Sequence, residues 1–229
     1  MNLSAVVLTN KDPNEIKPVL GSVAFADETI ILRDHPQSDP LNGDFAAQRN
    51  LGLKRAKNDW VLFVDDDEIV SKELAREINA TIVPSDFVGY KLRRLDQYYG
   101  QTLHHGETGN IKIIRLGKKN AGKFIRAVHE TWQIQGRVGE LKNPLLHVRQ
   151  ELVSSFINRI ILYGPIDAKS LKEERKPFTY WRLFLNPLAK FVVNYKLKLG
   201  FLDGILGLFQ AYLMSVQSLS IRVFQWQEK

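Results

Sequence analysis

Short apolar runs alternate with amphipathic segments over the first third of the chain. The apolar runs are rich in β-branched residues and end in polar turns, which is typical of strands buried on both faces of a sheet. They are residues 3–8, 29–32 and 60–64. The predicted helices span residues 14–23 and 45–57, the second capped by Asp44, and a third begins after the candidate cap Ser71. This alternation predicts an α/β domain whose parallel sheet is covered on both faces.

The middle of the chain follows a different pattern, in which strand-like segments are interrupted by glycines. These segments are residues 87–95, 111–116 and 124–134. We expect them to complete a mixed sheet with long loops beside the ligand site. The predicted organisation is an α/β domain over residues 1–150 and a helical extension over residues 151–229, apolar and basic from about residue 176.

Composition excludes several classes of protein. With 229 residues and a hydrophobic share of 44%, the chain can bury a core, which excludes intrinsic disorder and a collagen-like structure. The absence of cysteine excludes disulfides, thiolate zinc sites and cysteine nucleophiles. The first apolar run is too short for a secretory signal peptide and lacks its basic lead, so we expect a cytoplasmic protein.

Four consecutive acids, Asp65-Asp66-Asp67-Glu68, directly follow the third predicted strand. Ligand sites of open parallel sheets form at the carboxyl ends of the strands, which is where these acids lie. Carboxylates packed this closely repel one another unless a hard cation such as Mg²⁺ or Mn²⁺ neutralises part of the charge. The alternative is a solvated acidic turn in which Asp67 and Glu68 start the next helix.

A second cluster, Gln48-Arg49-Asn50-Leu51-Gly52, lies on the helix before the acidic strand. Arginine and asparagine near a helix start can reach phosphate or ribose, and a glycine lets the helix lie close to its neighbours. Together with the acids, these residues resemble the signature of family 2 glycosyltransferases, and most closely the bacterial subgroup of lipopolysaccharide-core β-glucosyltransferases. The similar segments are residues 3–9, 22–28, 47–53, 59–68, 128–130 and 200–204.

The resemblance implies a GT-A fold, a Rossmann-like mixed sheet that binds a nucleotide-diphosphate sugar. In its Asp-x-Asp motif, Asp65 and Asp67 are the implied ligands of a divalent metal, Mg²⁺ or Mn²⁺, which holds the donor's diphosphate. The other implied donor-binding residues are Thr9, Asp34, Arg49, Asn50 and Asp66, and Asp65 is also a candidate ribose contact. The turn after Asp34 departs from the family's usual Asp-Ser-x-Ser-Thr-Asp.

An inverting transfer needs a general base that deprotonates the acceptor hydroxyl. By the same resemblance Glu130 is the candidate base, and Trp132 is a candidate acceptor platform. His129 is a candidate metal ligand, substrate contact or orienting residue for Glu130, with an ordinary half-buried histidine as the alternative. Three arginines, Arg93, Arg94 and Arg115, are candidate contacts to phosphate or acceptor, but a solvated face is the favoured interpretation and they stay outside the catalytic set. No role is assigned to His104 or His105.

The chain's last quarter, residues 176–229, is basic and aromatic. It holds seven bases against two acids and 11 of the 23 aromatic residues. This mixture predicts helices on or partly in a membrane, with Lys190, Lys196 and Lys198 meeting anionic head groups. The alternative is that these helices pack on the α/β domain or on a second subunit, so that an oligomer forms through them.

We therefore predict a metal-dependent inverting glycosyltransferase, peripheral on the inner face of the cytoplasmic membrane. Its predicted donor is a nucleotide sugar and its acceptor a lipid-linked or cell-envelope glycan, as in lipopolysaccharide biosynthesis. A sugar-phosphate nucleotidyltransferase is the first alternative, but residues 9–13 lack the glycine-rich phosphate loop it needs. A non-catalytic module that binds membrane or nucleic acid is the second, but the four acids would repel nucleic acid.

Overall fold

The computed structural model describes residues 2–33, 44–82, 85–126, 130–149 and 153–228. The chain divides into two compact units, each with a hydrophobic core of its own. The first unit comprises residues 1–95 and 111–148, and the second comprises residues 96–110 and 149–229. The segment 96–110, which the sequence assigned to the first domain, thus belongs to the helical unit.

The described residues form eleven strands and six α-helices. The strands are β1 (Leu3–Thr9), β2 (Glu28–Arg33), β3 (Trp60–Asp65), β4 (Glu68–Val70), β5 (Gly89–Tyr98), β6 (Gln101–Thr102), β7 (Ile111–Lys118), β8 (Gly122–Ile125), β9 (Thr131–Ile134), β10 (Val138–Glu140) and β11 (Leu145–Arg149). The helices are α1 (Lys17–Ser22), α2 (Phe45–Arg55), α3 (Lys72–Thr81), α4 (Val153–Glu173), α5 (Tyr180–Val192) and α6 (Gly204–Gln227).

The main sheet is mixed, as predicted. Its strand order is β2-β1-β3-β7-β5-β11-β4, with β10 and β6 also paired to β5. β1 lies parallel to both β2 and β3, whereas β7 is antiparallel to β3 and β5, and β11 is antiparallel to β4. The α/β architecture with a mixed sheet and a helical C-terminal extension is therefore confirmed.

Alternate side chains of β1 and β3 enter two separate cores. On one face Leu3, Val7 and Leu62 pack with residues of α1 and α3. On the other face Val6 and Phe63 pack with residues of α2, β8 and β9. Both faces of the parallel strands are covered, which explains why their sequences are continuously apolar rather than alternating.

The two predicted N-caps are confirmed. The Asp44 side chain accepts a hydrogen bond from the Ala47 N–H at 2.9 Å, and α2 begins directly after it. The Ser71 hydroxyl accepts one from the Leu74 N–H at 3.1 Å at the start of α3. Each cap satisfies a backbone donor that has no partner within its helix.

Two predicted boundaries are wrong. The helix expected over residues 14–23 is limited to α1, because Pro18 is suited to a first turn and not to a helix interior. The single extended segment expected over residues 124–134 is instead the antiparallel pair β8 and β9, in which Phe124 lies opposite Trp132.

The second unit attaches residues 96–110 to the start of α6 through Asp203. Its carboxylate accepts hydrogen bonds from the backbone N–H groups of His104 at 3.2 Å and His105 at 2.8 Å. The His105 ring nitrogen Nδ1 lies 2.8 Å from the same carboxylate. These contacts join segments about a hundred residues apart, so sequence patterns could not have assigned 96–110 to this unit.

Gly52 brings α2 close to the sheet, and we predict that Gly52→Ala destabilises the fold. An added Cβ would lie 2.9 Å from Val6 Cγ1 and 3.0 Å from Phe63 Cε1, both on fully buried side chains. Overpacking of this kind costs roughly 1–3 kcal/mol. The matched control is Gly21→Ala in α1, where nothing lies within 4 Å of the added carbon. Urea denaturation should show a loss for Gly52→Ala only, and equal midpoints for both variants would contradict the prediction.

Candidate active site

The acidic run turns at the end of a buried strand. Asp65 is the last residue of β3, Asp66 and Asp67 form the turn, and Glu68 begins β4 with a fully buried side chain. The Asp65 N–H donates to Glu68 Oε2 at 3.0 Å, which closes the turn. The alternative in which Asp67 and Glu68 start the next helix is wrong, because α3 begins only at Lys72.

Two arginines hold both carboxylate oxygens of Asp65. Arg49, from α2, donates from Nη2 to Oδ1 at 2.8 Å, and Arg115, from β7, donates from Nη2 to Oδ2 at 2.7 Å. Arg49 is only 2% exposed and lies against the rings of Phe63 and Phe124. The aromatic and aliphatic surroundings therefore fix the guanidinium group in place beside the acid.

Glu130 binds the same two arginines. Arg49 Nε donates to Glu130 Oε1 at 2.6 Å, and Arg115 Nη1 donates to the same oxygen at 3.2 Å. The candidate base and the first acid of the Asp-x-Asp motif are thus linked through a common pair of guanidinium groups. We call Asp65, Glu130, Arg49 and Arg115 the arginine–carboxylate network.

Burial and charge shift the pKa values in this network in opposite directions. Burial alone would raise the pKa of Asp65, but the guanidinium groups of Arg115 and Arg49 outweigh it and hold that pKa well below its usual range. For Arg115, burial is outweighed by Asp65 and Glu68, which raise its pKa. Burial raises the pKa of Glu68, and the Asp65 charge adds to this. Glu68 therefore holds its proton to a higher pH than an ordinary glutamate.

Asp66 contacts the end of the first strand. Thr9 donates from its hydroxyl to Asp66 Oδ2 at 2.7 Å, and Lys11 Nζ lies 3.0 Å from Asp66 Oδ1. Thr9 and the acidic turn, which the sequence predicts to share one site, are therefore in direct contact. Lys11 adds a positive charge to this corner of the site.

Asp67 pairs with a histidine from β11. His147 Nε2 lies 2.8 Å from Asp67 Oδ2, and the Val148 N–H donates to the Asp67 carbonyl oxygen at 2.7 Å. The Asp67 side chain is 36% exposed, whereas that of His147 is almost fully buried. The imidazole thus fixes the orientation of a carboxylate that solvent can reach.

The candidate metal ligands differ in how well they fit a divalent cation. Asp65 does not fit, because both of its oxygens accept from guanidinium groups. Asp67 fits, since it is a partly exposed hard oxygen ligand held by a hydrogen-bonding partner. Within the described ranges no group of three or more His, Asp or Glu is arranged to hold a metal ion.

Two predicted site residues have other roles in the structure. Trp132 is not an acceptor platform, because its ring is 2% exposed and stacks on Phe124 with centroids 4.8 Å apart. The Asn50 side chain exchanges two hydrogen bonds of 2.9 Å with the Phe124 backbone, so it anchors α2 to β8 instead of facing a donor. Asp34 and His129 lie outside the described residues.

Sequence reasoning missed Arg115 and His147. Arg115 was interpreted as solvated, yet its side chain is 7% exposed and bonds both acids of the network. Each residue interrupts an apolar strand, in Ile113-Ile114-Arg115-Leu116 and Leu145-Leu146-His147-Val148. A charged or titratable side chain flanked by apolar residues on both sides was the available signal, because burial of that group requires a partner.

Comparison with known proteins supports the predicted class. Residues 38–94 match the model of Glycosyl transferase family 2. The matched segment lies in the first unit and contains Arg49, Asn50 and the acidic turn, which are the residues that carried the resemblance. This match indicates that the chain is a glycosyltransferase, which is the class of enzyme that the sequence predicts.

Similar curated proteins cover nearly the whole chain. An uncharacterized glycosyltransferase of Rickettsia typhi is 22% identical over 247 residues, which span 92% of this chain and 84% of that protein. A second, from Rickettsia prowazekii, is 21% identical over 247 residues, with the same two coverages of 92% and 84%.

Solved structures with a similar course of the chain include S. aureus TarS 1-349. Its crystal structure has a TM-score of 0.46 and 14% sequence identity, covering 100% of this chain and 92% of that chain. The same protein in complex with UDP-GlcNAc has a TM-score of 0.43 and 16% identity, covering 96% and 82%.

We predict that Arg115→Met destabilises the fold by roughly 3–5 kcal/mol at neutral pH, because Asp65 and Glu130 lose a buried partner. The folded-state pKa of Asp65 is lowered, so its ion pairs stabilise the fold above its unfolded pKa of about 3.9. That stabilisation is lost as the pH falls through the folded value. The difference in unfolding free energy between wild type and variant should therefore shrink towards acid pH, as measured by urea denaturation.

The matched control lies on the same strand. Lys112 pairs with Glu140 at 2.6 Å, and both side chains are about half exposed. Lys112→Met should cost less than about 1 kcal/mol, because solvent screens an exposed pair. If Arg115→Met cost no more than Lys112→Met at neutral pH, the network would not stabilise the fold.

Proposed function

We propose that the chain is a GT-A glycosyltransferase of family 2 that transfers a sugar, with inversion, from a nucleotide-diphosphate donor. The observation that carries this proposal is the arginine–carboxylate network, which joins the candidate base Glu130 to Asp65 at the carboxyl end of β3. The match to family 2 over residues 38–94 and the relatives named as glycosyltransferases support the same activity.

The donor side of the proposed site is the turn of three aspartates with its neighbours Thr9 and Lys11. Lys11 contributes a cationic group to this turn, and a lysine of this kind suits the phosphate oxygens of a donor. Arg49 is too deeply buried to meet the donor directly, so its proposed role is to position Asp65 and Glu130. Asp34 stays a candidate contact to the nucleotide on the resemblance alone.

Glu130 is the proposed general base. As the acceptor oxygen attacks the anomeric carbon, its proton passes to the Glu130 carboxylate, and the bond from that carbon to the diphosphate oxygen breaks with its electron pair on the leaving group. Both arginines bond Oε1, so Oε2 is the oxygen proposed to take the proton. Arg49 and Arg115 fix the carboxylate in one orientation, which keeps this oxygen directed at one position.

Asp67 is the proposed ligand of a divalent cation, Mg²⁺ or Mn²⁺, with His147 orienting its carboxylate. Such a cation supplies positive charge that stabilises a leaving diphosphate. Mg²⁺ is commonly held by one or two carboxylates together with substrate phosphates. A site with one fitting carboxylate therefore suits a cation that binds together with the donor. Asp65 is not proposed as a metal ligand, because both of its carboxylate oxygens accept hydrogen bonds from arginines.

The proposed acceptor is a lipid-linked or cell-envelope glycan, and the proposed location is the inner face of the cytoplasmic membrane. Among the described residues, one segment, Gly200–Gln227, is by length and composition apolar enough to cross a membrane. An enzyme whose acceptor carries a lipid gains from lying at the surface where that lipid resides. A place in lipopolysaccharide biosynthesis remains part of this proposal, on the resemblance alone.

The activity is tested with a panel of nucleotide sugars and nucleoside diphosphates. A donor that binds the native state should raise the melting temperature of the chain in a thermal-shift assay. We expect the shift to require Mn²⁺ and donor together and to be abolished by chelator. Hydrolysis of the same donor should depend on metal in parallel. Equal rates of donor hydrolysis with Mn²⁺ and with chelator would remove the metal from the proposal. If no donor raised the melting temperature, the proposed glycosyltransferase activity would be contradicted.

Two substitutions separate the proposed roles of the acids. Asp67→Ala should abolish metal-dependent donor binding, because it removes the proposed ligand. Glu130→Gln should leave donor affinity nearly unchanged and lower turnover by roughly 100-fold or more, because the amide cannot accept the acceptor's proton at neutral pH. Donor titration and initial rates measure both. Normal turnover of Glu130→Gln would assign the base to another residue.

A further inference from the structure

Helix α5 of the second unit exposes a continuous row of large apolar side chains. None of the residues of α5 is buried. Five of its apolar side chains are between 54% and 72% exposed, namely Tyr180, Trp181, Phe184, Leu185 and Leu188. Because residues three and four apart share a face of an α-helix, these five positions form one stripe. We call them the α5 stripe.

The contacts of α5 with α6 use other positions. The rings of Phe191 and Tyr212 lie 4.7 Å apart, and Ser215 Oγ donates to the Pro187 carbonyl oxygen at 2.8 Å. These contacts anchor α5 within its unit and leave the stripe outside the packed side. The exposure of the stripe is therefore a property of the folded unit, not of a helix that has come loose.

The stretch of chain that contains α5 carries bases and no acid. Residues 175–202 contain no acid, and their bases include Arg182 on α5 and Lys196 and Lys198 shortly after it. Lys190, which the sequence predicted to meet head groups, instead pairs with Glu107 at 2.6 Å. The excess of base in this stretch therefore favours an anionic partner, through Arg182 and Lys196.

We propose that the α5 stripe inserts into the head-group region of an anionic lipid bilayer, with α5 lying in the plane of the surface. Aromatic and aliphatic side chains flanked by bases are the composition of interfacial helices. With 13 residues, α5 is about 20 Å long and too short to span a bilayer core of about 30 Å. This inference rests on the membrane location proposed above and is independent of the proposed donor chemistry.

A second copy of the chain fits the stripe less well than lipid. A two-fold interface would bring the same surface of both copies together, and residues 175–202 offer no acid to pair with the bases that this stretch of both copies carries. Helix α6 is long enough to span a bilayer, but it packs on both α4 and α5. For example, Gly164 of α4 lies so close to the Phe224 ring of α6 that an added Cβ would clash with it.

The test is cosedimentation of the full chain with vesicles of phosphatidylcholine, with and without phosphatidylglycerol. The double variant Phe184→Ser, Leu188→Ser should bind the anionic vesicles at least about tenfold more weakly, because it removes apolar area that would be buried. The double variant Phe184→Leu, Leu188→Ile, which keeps the stripe apolar, should retain binding. Lys196→Gln should weaken binding about fivefold, and only to the anionic vesicles.

The matched control is Tyr99→Ser, since Tyr99 belongs to the same unit and is 73% exposed but lies outside the helices. It should leave vesicle binding unchanged, and the melting temperatures of all variants should stay close to that of the wild type. Wild-type chain that stays in the supernatant with both vesicles would overturn the proposal, as would wild-type binding by the double serine variant. A wild-type dimer that the double serine variant dissociates would instead assign the stripe to contact with a second copy. Wild-type chain that resists alkaline carbonate extraction would assign membrane binding to a spanning α6.

Discussion

The buried ion pairs around Asp65 are the interaction on which the candidate site depends. Two guanidinium groups from different elements, α2 and β7, bond the two oxygens of one carboxylate and then share an oxygen of Glu130. Each charge has lost most of its water, so each is stable only while its partners stay in place. The network therefore fixes the relative positions of α2, β3, β7 and the segment that carries Glu130.

The same network explains how four adjacent acids are tolerated. Sequence reasoning assigned the relief of their repulsion to a metal ion. In the structure each acid has partners from the chain itself: the arginines for Asp65, Lys11 with Thr9 for Asp66, His147 for Asp67, and the Asp65 N–H with Arg94 and Arg115 for Glu68. Groups of the chain itself therefore compensate the charges of all four acids. The fold therefore does not depend on a cation to neutralise these acids.

Local sequence signals predicted local structure well. The apolar runs of β1 and β3, and the caps Asp44 and Ser71, depend on residues within one element, and the structure agrees with them. The position of the acidic turn after β3 was predicted for the same reason. The helix predicted over residues 14–23 is longer than α1, because apolar residues continue at helical spacing outside α1, whose first turn contains Pro18.

The partners of the site residues could not be predicted, because they depend on which strands pair. Arg115 reaches Asp65 since β7 joins β3 in an antiparallel register that sets Leu62 opposite Leu116. No local pattern specifies that pairing across some fifty residues. Trp132 shows the converse error: an aromatic beside a candidate base suggested a sugar platform, but the hairpin of β8 and β9 turns it onto Phe63 in the core.

The first unit buries charged side chains, whereas the second exposes apolar ones. The sequence therefore predicts different features of the two units. The first unit buries charges, so the identity of a functional residue there is decided by non-local partners that composition does not reveal. The second unit leaves apolar side chains exposed, and its basic, aromatic composition was visible directly in residues 176–229. What composition could not show is which face stays uncovered. That depends on α6, which contacts Phe191 and Pro187 of α5 and leaves the side chains of Phe184 and Leu188 exposed to solvent.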